Sequence, residues 1–297
     1  MGQHSVAEGK GTDGVIGIDG VPFAKGHGAG NDFVILPDPD GALPLTAAQV
    51  AALCDRRRGI GGDGLLRVVR SAKHPDAVAM AGEAEWFMDY WNADGTQAEM
   101  CGNGVRVFAR YLIESGLVGW PSGDLRVATR SGVVPVRDDA AGLAAGLAPP
   151  RLGGPATAAV AGRELDGVAV DCGNPHLVCA LPDAEDPAVL DLTAAPTLDP
   201  ETFPTGANVE FVAAAEPVDG ADLSVRMRVH ERGVGETLSC GSGACAVAAA
   251  ALADTGRDTG VVAVHVPGGR LTVTVADEAC WLAGPAVIVA AGVVHLG

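Results

Sequence analysis

Two cysteines lie in nearly the same local sequence, one in each half of the chain. The first half contains Cys101-Gly102-Asn103-Gly104, and the second contains Cys240-Gly241-Ser242-Gly243. Each motif leads into a run that predicts a helix, ending near Gly116 in one case and near Gly256 in the other. Because the amides and the macrodipole at a helix N-terminus stabilise an anion, the sequence predicts two thiols placed where the thiolate is favoured.

Two thiols that face each other across one pocket can invert a carbon centre. A thiolate on one side removes the proton, and a thiol on the other side returns a proton to the opposite face. The difficult step is to stabilise the carbanion, whose charge spreads into the α-carboxylate when the carbon is the α-carbon of an amino acid. The amides of Gly102-Asn103 and Gly241-Ser242 are placed to receive that charge. This scheme requires no cofactor, neither pyridoxal phosphate nor a metal ion.

The sequence around the cysteines is repeated as well. Asn31 and Asn174 both follow a glycine, and they precede their cysteines by similar distances. Asn92 and Glu231 precede Cys101 and Cys240 by the same number of residues. The repeated unit is far longer than the repeats of solenoid proteins. The repeat therefore predicts two related domains that face each other with both thiols at their junction.

The expected fold class is α/β of the α+β type. We expect two pseudo-symmetric domains, each a mostly antiparallel or mixed sheet wrapped around a central helix, with the active site at the domain junction. A loose N-terminal extension is expected over residues 1–20. The N-terminal domain is predicted to comprise residues 21–137 and 285–297, and the C-terminal domain residues 138–284.

Several local elements can be predicted from turn and capping residues. A helix is expected over Thr46–Leu53, because Thr46 and Gln49 can form a capping box. Pro135 predicts an edge position in its hairpin. The segment Asp138–Pro155 is rich in Ala, Gly and Pro and predicts a linker. Strands are expected as a glycine-turn pair within Val21–Leu36, over Leu65–Val69 and over Glu85–Trp91.

Composition and charge exclude several classes of protein. The 297 residues include 37 Asp+Glu against 20 Lys+Arg, a formal net charge of −17, which argues against nucleic acid or an anionic membrane as the main partner. No apolar run approaches the ~20 residues that span a bilayer, and the first residues do not resemble a secretory signal. The seven cysteines are scattered and odd in number. That pattern favours free thiols in a reducing cytoplasm.

Together these motifs resemble the diaminopimelate epimerase family, in order, from about Phe23 to Leu296. The resemblance implies a cofactor-independent interconversion of LL- and meso-2,6-diaminopimelate, in lysine and peptidoglycan precursor biosynthesis. It also implies the two-domain fold and, as in many members, a homodimer. It rests on His27-Gly28-Ala29-Gly30-Asn31-Asp32-Phe33, Asn92-Ala93-Asp94-Gly95, Cys101-Gly102-Asn103-Gly104, Gly173-Asn174-Pro175-His176, Glu231-Arg232-Gly233, Cys240-Gly241-Ser242-Gly243-Ala244-Cys245 and Pro267-Gly268-Gly269.

The resemblance also implies a role for each matching residue. Cys101 and Cys240 would be the acid–base pair, with His176 and Glu231 tuning the thiol pKa values. One position departs from the family, because this chain has Gly64 where many relatives carry a substrate-contacting Gln. The expected substrate-binding residues are Asn31, Asn92, Gly102, Asn103, Asn174, Asn208, Glu231, Arg232, Gly241 and Ser242.

Other functional interpretations of the same residues remain open. A redox or zinc protein can also use two cysteines, although the chain has no Cys-x-x-Cys and no His at ligand spacing. A non-catalytic amino acid binder is a second alternative, and a proline racemase-type enzyme shares the two-thiol logic. Arg232 and the several Asn residues favour a substrate with a second polar end. The remaining cysteines are expected in the core, namely Cys54, Cys172, Cys179, Cys245 and Cys280.

Overall fold

The computed structural model describes residues 18–119, 123–182 and 185–296. Most of the predicted N-terminal extension therefore lies outside the described residues, and the first strand begins at Ile18. Within the described ranges the chain forms three α-helices: α1 (Ala47–Cys54), α2 (Gly102–Glu114) and α3 (Gly241–Asp254). None of these helices is long and apolar enough to span a membrane.

The rest of the regular structure is β-sheet, with 18 strands in the described ranges. In chain order they are β1 (Ile18–Gly28), β2 (Asn31–Pro37), β3 (Gly64–Arg70), β4 (Trp86–Asn92), β5 (Leu125–Thr129), β6 (Gly132–Asp139), β7 (Gly142–Leu147), β8 (Arg151–Val160), β9 (Arg163–Asp171), β10 (Pro175–Ala180), β11 (Thr197–Leu198), β12 (Asn208–Ala214), β13 (Leu223–Glu231), β14 (Gly235–Thr237), β15 (Gly260–Val266), β16 (Gly269–Val275), β17 (Cys280–Gly284) and β18 (Val287–Leu296).

The strand order repeats in the two halves. In the first half β2 pairs parallel with β3 and β4 with β5, and the other neighbours from β18 through β1 to β7 are antiparallel. In the second half β10 pairs parallel with β12 and β13 with β15, and β8, β9, β16 and β17 pair antiparallel with their neighbours in the same way. This confirms the mixed, sheet-dominated fold with a repeated architecture.

The two halves are joined edge to edge. Strand β7 pairs antiparallel with β17, so that Leu143 lies opposite Gly284 and Leu147 opposite Cys280. Each half packs around its own helix. Helix α2 buries an apolar face of Val105, Phe108, Ala109 and Leu112, whereas the Ala-rich helix α3 is buried on nearly every side. The small side chains of α3 allow the surrounding strands to approach it closely.

The local predictions have mixed outcomes. The capping box at Thr46 and Gln49 is present and begins α1. The predicted linker over Asp138–Pro155 is wrong: the segment contains the end of β6, all of β7 and the start of β8, because small residues fit where β7 packs between β6 and β17. Strand β6 is likewise not an edge strand. Pro135 is tolerated there because the pairing with β7 begins only at Val136.

Candidate active site

Each of the two predicted cysteines is the N-cap residue of its helix. Cys101 caps α2, and its sulfur accepts a hydrogen bond from the Gly104 amide at 3.4 Å. Cys240 caps α3, and its sulfur accepts from the Gly243 amide at 3.4 Å. The two motifs therefore adopt the same local geometry, in which the thiol takes the place of the usual hydroxyl or carboxylate cap.

The N-termini of the two helices meet at the junction of the halves. A Cβ built on Gly241 would lie 3.4 Å from the Asn103 nitrogen and 3.6 Å from the Gly102 Cα. A Cβ built on Gly102 or on Gly241 would lie 2.9 Å from Cδ2 of Leu282 on β17. The first amides of an α-helix have no acceptor within the helix, so those of Gly102, Asn103, Gly241 and Ser242 form one donor-rich surface.

Burial dominates the acidity of both thiols. Burial raises the pKa of Cys101 to about 11, although hydrogen bonds from the Gly104 and Asn103 amides act to lower it. Burial also raises the pKa of Cys240 well above its ordinary value, and the charge of Glu231 raises it further. The expectation that the helix N-termini make the thiolate the favoured form is therefore wrong, because burial outweighs the amides.

Glu231 lies beside the pair of thiols at the end of β13. Burial raises the pKa of its carboxyl group, and hydrogen bonds from Thr237 and from the Cys240 thiol act to lower it. Its charge acts on the pKa of both Cys101 and Cys240. This predicted tuning residue therefore bonds the Cys240 thiol directly and acts on Cys101 through its charge.

His176 acts on the Cys240 helix through a residue that the sequence analysis did not single out. The His176 ring is fully buried, with Nδ1 2.7 Å from Oε1 of Glu210 and Nε2 3.1 Å from Oδ1 of Asn174. A Cβ on Gly243 would lie 2.6 Å from the same Glu210 oxygen, so this carboxylate packs against the first turn of α3. The sequence feature that could have identified Glu210 is an acidic residue within the otherwise apolar strand β12.

Two asparagines connect the cysteine motifs of the two halves. Oδ1 of Asn31 lies 3.6 Å from the Cys101 sulfur and accepts from Asn103 Nδ2 at 3.4 Å. The same Asn103 amide group donates to the Ser239 carbonyl at 3.3 Å, next to Cys240. The Asn103 side chain therefore holds the junction together, while its backbone amide stays at the helix N-terminus. On its other side Asn31 donates to Oδ2 of Asp63 at 2.8 Å.

Arg106 fixes the orientation of the Asn103 side chain. Its guanidinium is fully buried and donates to the Gly102 carbonyl at 3.1 Å and to Asn103 Oδ1 at 2.8 Å. Burial lowers its pKa to about 10, and no carboxylate of the described residues forms an ion pair with it. The sequence feature that could have identified Arg106 is a charged residue next to the apolar face of α2. Its charge acts to lower the pKa of Cys101.

The remaining predicted residues form hydrogen bonds to partners other than the thiols. Asn208 accepts the backbone amide of Arg232 at 2.9 Å, which fixes the corner after β13. The Arg232 side chain is exposed at the rim and donates to Oγ1 of Thr205 at 3.1 Å. Asn92 donates to Oγ1 of Thr96 at 3.0 Å within its own turn. Within the described part of the chain, Asn92 forms no hydrogen bond with Cys101 or Cys240.

The arrangement suits proton transfer at a carbon next to a carboxylate. It combines the half-buried Cys101 thiol and the buried Cys240 thiol with the Glu231 carboxylate, whose charge acts on both, and a surface of helix N-terminal amides. In residues 18–119, 123–182 and 185–296, no group of three or more His, Cys, Asp or Glu side chains is placed to bind a metal ion.

Comparison with protein families gives one match over most of the chain. The family described as diaminopimelate epimerase matches residues 23–147 and 168–295. A diaminopimelate epimerase from Mycolicibacterium smegmatis is 51% identical over 286 residues, covering 91% of this chain and 95% of the relative. One from Streptomyces coelicolor is 53% identical over 285 residues, covering 92% and 94%.

Solved structures share the fold at much lower identity. A phenazine biosynthesis protein of the PhzF family from Bacillus anthracis has a TM-score of 0.69 at 17% identity, covering 92% of this chain and 98% of that one. A hydroxyproline epimerase from Agrobacterium vitis has a TM-score of 0.58 at 14% identity, covering 93% and 92%. At such identities the likeness concerns the fold alone.

Proposed function

The chain belongs to the diaminopimelate epimerase family, and on that premise we propose that it interconverts LL- and meso-2,6-diaminopimelate by a two-base mechanism without a cofactor. The observation that carries this proposal is the meeting of two helix N-termini, each capped by a cysteine. The product serves the biosynthesis of lysine and of peptidoglycan precursors. The enzyme is an isomerase that acts on an amino acid and does not depend on pyridoxal phosphate.

Cys101 and Cys240 are the acid–base pair in this proposal. One sulfur removes the α-proton and the other donates a proton to the opposite face of the same carbon. The donor-rich surface of Gly102, Asn103, Gly241 and Ser242 binds the α-carboxylate and takes up the charge that develops on it. Since burial raises the pKa of both thiols, formation of the reactive thiolate depends on the helix amides, which act to lower it.

Two groups act on the thiols from the second half. Glu231 accepts from the Cys240 thiol, so it is placed to take that proton when the thiolate forms. His176 acts indirectly, because it holds the Glu210 carboxylate against the first turn of α3. A carboxylate there keeps the environment of Cys240 negative and favours the protonated thiol, which is the form needed for the acid role.

Polar residues around the thiols fix the substrate. The exposed guanidinium of Arg232 binds the distal carboxylate in a bidentate manner. Asn31, Asn92, Asn174 and Asn208 bind the amino groups and the distal end, and Glu231 is a further ligand. The Asn31 carbonyl oxygen next to the Cys101 sulfur is well placed for an ammonium group on the reacting carbon.

The quaternary state and the compartment also belong to the proposal. Strand β18 forms the outer edge beside β1 and exposes Val287, Val289 and Val293, which favours a homodimer built on this edge. Sedimentation equilibrium tests it, and a monomer at all protein concentrations contradicts it. The seven free cysteines favour the reducing cytoplasm.

The direct test is epimerisation of diaminopimelate by the purified chain in deuterated water. The proposal predicts interconversion of the LL and meso isomers with deuterium incorporated at the inverted α-carbon. The reaction should persist after treatment with chelators and carbonyl reagents. Binding of diaminopimelate without any exchange of its α-hydrogen would contradict the enzyme and leave only a binding protein.

A further inference from the structure

Arg106 carries a positive charge into the core without a counter-charge. Its side chain is fully buried between the two halves. A Cβ built on Gly28 at the end of β1 would lie 3.4 Å from Nη2, and one built on Gly284 at the end of β17 would lie 3.5 Å from it. In the described part of the chain, Nε has no hydrogen-bond partner and no carboxylate acts on the pKa of Arg106. An unpaired buried charge opposes folding, so the fold alone does not account for this residue.

The anion that this cation is placed to balance is the thiolate of Cys101. Among the described residues, Cys101 and Cys245 are the groups whose charge acts on the pKa of Arg106. Cys245 lies within α3, where a hydrogen bond with Cys280 and burial raise its pKa well above the ordinary value. Cys101 instead caps α2, where a hydrogen bond from the Asn103 amide acts to lower its pKa. Of the two thiols, Cys101 is therefore the one whose ionised form the structure supports.

One peptide group connects Arg106 to Cys101. Nη1 of Arg106 donates to the Gly102 carbonyl at 3.1 Å. The amide of that same peptide group is the Asn103 amide, which donates to the Cys101 sulfur. Hydrogen bonds in series polarise one another, so a cation on the carbonyl oxygen makes the amide a stronger donor. Nη2 donates to Oδ1 of Asn103 at 2.8 Å, and the guanidinium thereby also fixes the Asn103 side chain.

We propose that Arg106 is a positioning residue that polarises the donor-rich surface at the start of α2 and supplies the counter-charge for the Cys101 thiolate and the α-carboxylate of the substrate. It acts through the Gly102–Asn103 peptide group. Glu231 on β13 opposes it, because the charge of Glu231 raises the pKa of Cys101. Burial and the charge of Cys101 raise the pKa of Tyr90 on β4, which stays neutral. The inference rests on the proposed function where it concerns the substrate, whereas the effect on Cys101 can be measured without substrate.

Two substitutions separate the charge of Arg106 from the shape of its side chain. Lysine and methionine are both unbranched and similar in length, but only lysine carries a charge. Burial lowers the pKa of Arg106 from 12.5 to about 10, and a similar decrease from the ordinary lysine value of ~10.4 leaves an introduced lysine charged at pH 7. At that pH, kcat/KM of Arg106→Met should be at least about tenfold below that of Arg106→Lys.

Stability should rank the same two variants in the opposite order. Arg106→Met should unfold at the same urea concentration as Arg106→Lys or at a higher one, because methionine brings no charge into the core. A residue needed only for packing would rank activity and stability alike. Arg110→Met is the matched control, one turn further along α2, where Arg110 pairs with Glu114. This control should keep wild-type kinetics.

Alkylation measures the effect on Cys101 without substrate. The variants react with iodoacetamide at pH 7, and mass spectrometry of the peptides gives the rate at each cysteine. Because the thiolate is the reactive form, Arg106→Met should slow the alkylation of Cys101 by about tenfold, which corresponds to one pKa unit. Cys240 is the internal reference and should keep its rate, because the charges that act most strongly on its pKa are those of Glu231 and Glu210.

Three results would overturn this inference and leave the proposed function intact. They are equal activity of Arg106→Met and Arg106→Lys, an unfolding midpoint of Arg106→Met below that of Arg106→Lys, and an alkylation rate at Cys101 that is unchanged or that falls together with the rate at Cys240. Lack of epimerisation by the wild type would instead refute the proposed function, while the alkylation rates would still test the action of Arg106 on Cys101.

Discussion

One close contact between the two halves can be tested by adding one methyl group. Gly268, in the turn between β15 and β16, packs against Ala29 in the turn between β1 and β2. A Cβ on Gly268 would lie 1.8 Å from the Ala29 carbonyl oxygen, whereas contacts under 3.0 Å are essentially never found for real Cβ atoms. Gly268→Ala must therefore move the two turns apart by at least about 1.2 Å.

The size of the effect follows from that displacement. The position of a Cβ is fixed by its own backbone and the oxygen is a backbone atom, so no side-chain rotation can absorb the clash. Ala29 already has a φ of 49°, a backbone conformation that residues other than glycine rarely adopt. Displacement of a reacting group by about 1 Å costs on the order of 100-fold in rate. We expect Gly268→Ala to lower kcat/KM by about 100-fold and the unfolding free energy by about 1–3 kcal/mol.

The assay is diaminopimelate epimerisation at a temperature where circular dichroism shows that both proteins are folded. Gly154→Ala is the matched control, because a Cβ there meets nothing within 4 Å and the backbone is not left-handed. The control should keep kcat/KM within about twofold. If folded Gly268→Ala also stays within about threefold, this contact does not position the thiols and the reasoning is refuted.

Two further predictions concern Arg232 and Glu231. Arg232→Lys should lower kcat/KM more than about 10-fold, because an ammonium group does not reproduce the bidentate guanidinium; near-native kinetics would remove Arg232 from the site. Glu231→Gln should lose activity yet be more stable than the wild type at pH 7 in denaturant unfolding. Burial raises the carboxyl pKa in the folded state, so its ionisation opposes folding as pH rises above 4.5. The stability difference should therefore disappear below pH 4.5, and a difference that stays constant with pH would contradict burial as its cause.

Much of the site could be predicted because its signals are local in sequence. The two Cys-Gly-x-Gly motifs predict their own helix N-termini, and the structure contains both. The pairing of the motifs followed from the internal repeat, which the strand order of the two halves shares. The Thr46 capping box was predictable for the same reason, since all of its atoms lie within four residues.

The parts that could not be predicted depend on tertiary packing. The acidity of Cys101 depends on its burial in the folded chain, which outweighs the helix amides that can be predicted from the sequence. The segment Asp138–Pro155 has the composition of a linker, yet β7 joins the two sheets because a partner strand more than 130 residues later is available. Glu210 lies in a strand whose pattern gives no sign that its carboxylate packs against the helix that Cys240 caps. The boundaries of the two domains remain a prediction.

The central claim is that Cys101 and Cys240 serve opposite faces of one carbon. Each single change to Ala leaves one sulfur in place, so epimerisation should fall more than about 100-fold in both variants. The remaining thiol can still exchange the α-hydrogen that points towards it. We predict that Cys101→Ala and Cys240→Ala each exchange this hydrogen slowly with deuterated water in only one stereoisomer, and that the two variants prefer opposite isomers. Exchange of the same isomer by both variants, or full epimerase activity in either one, would contradict the two-face mechanism.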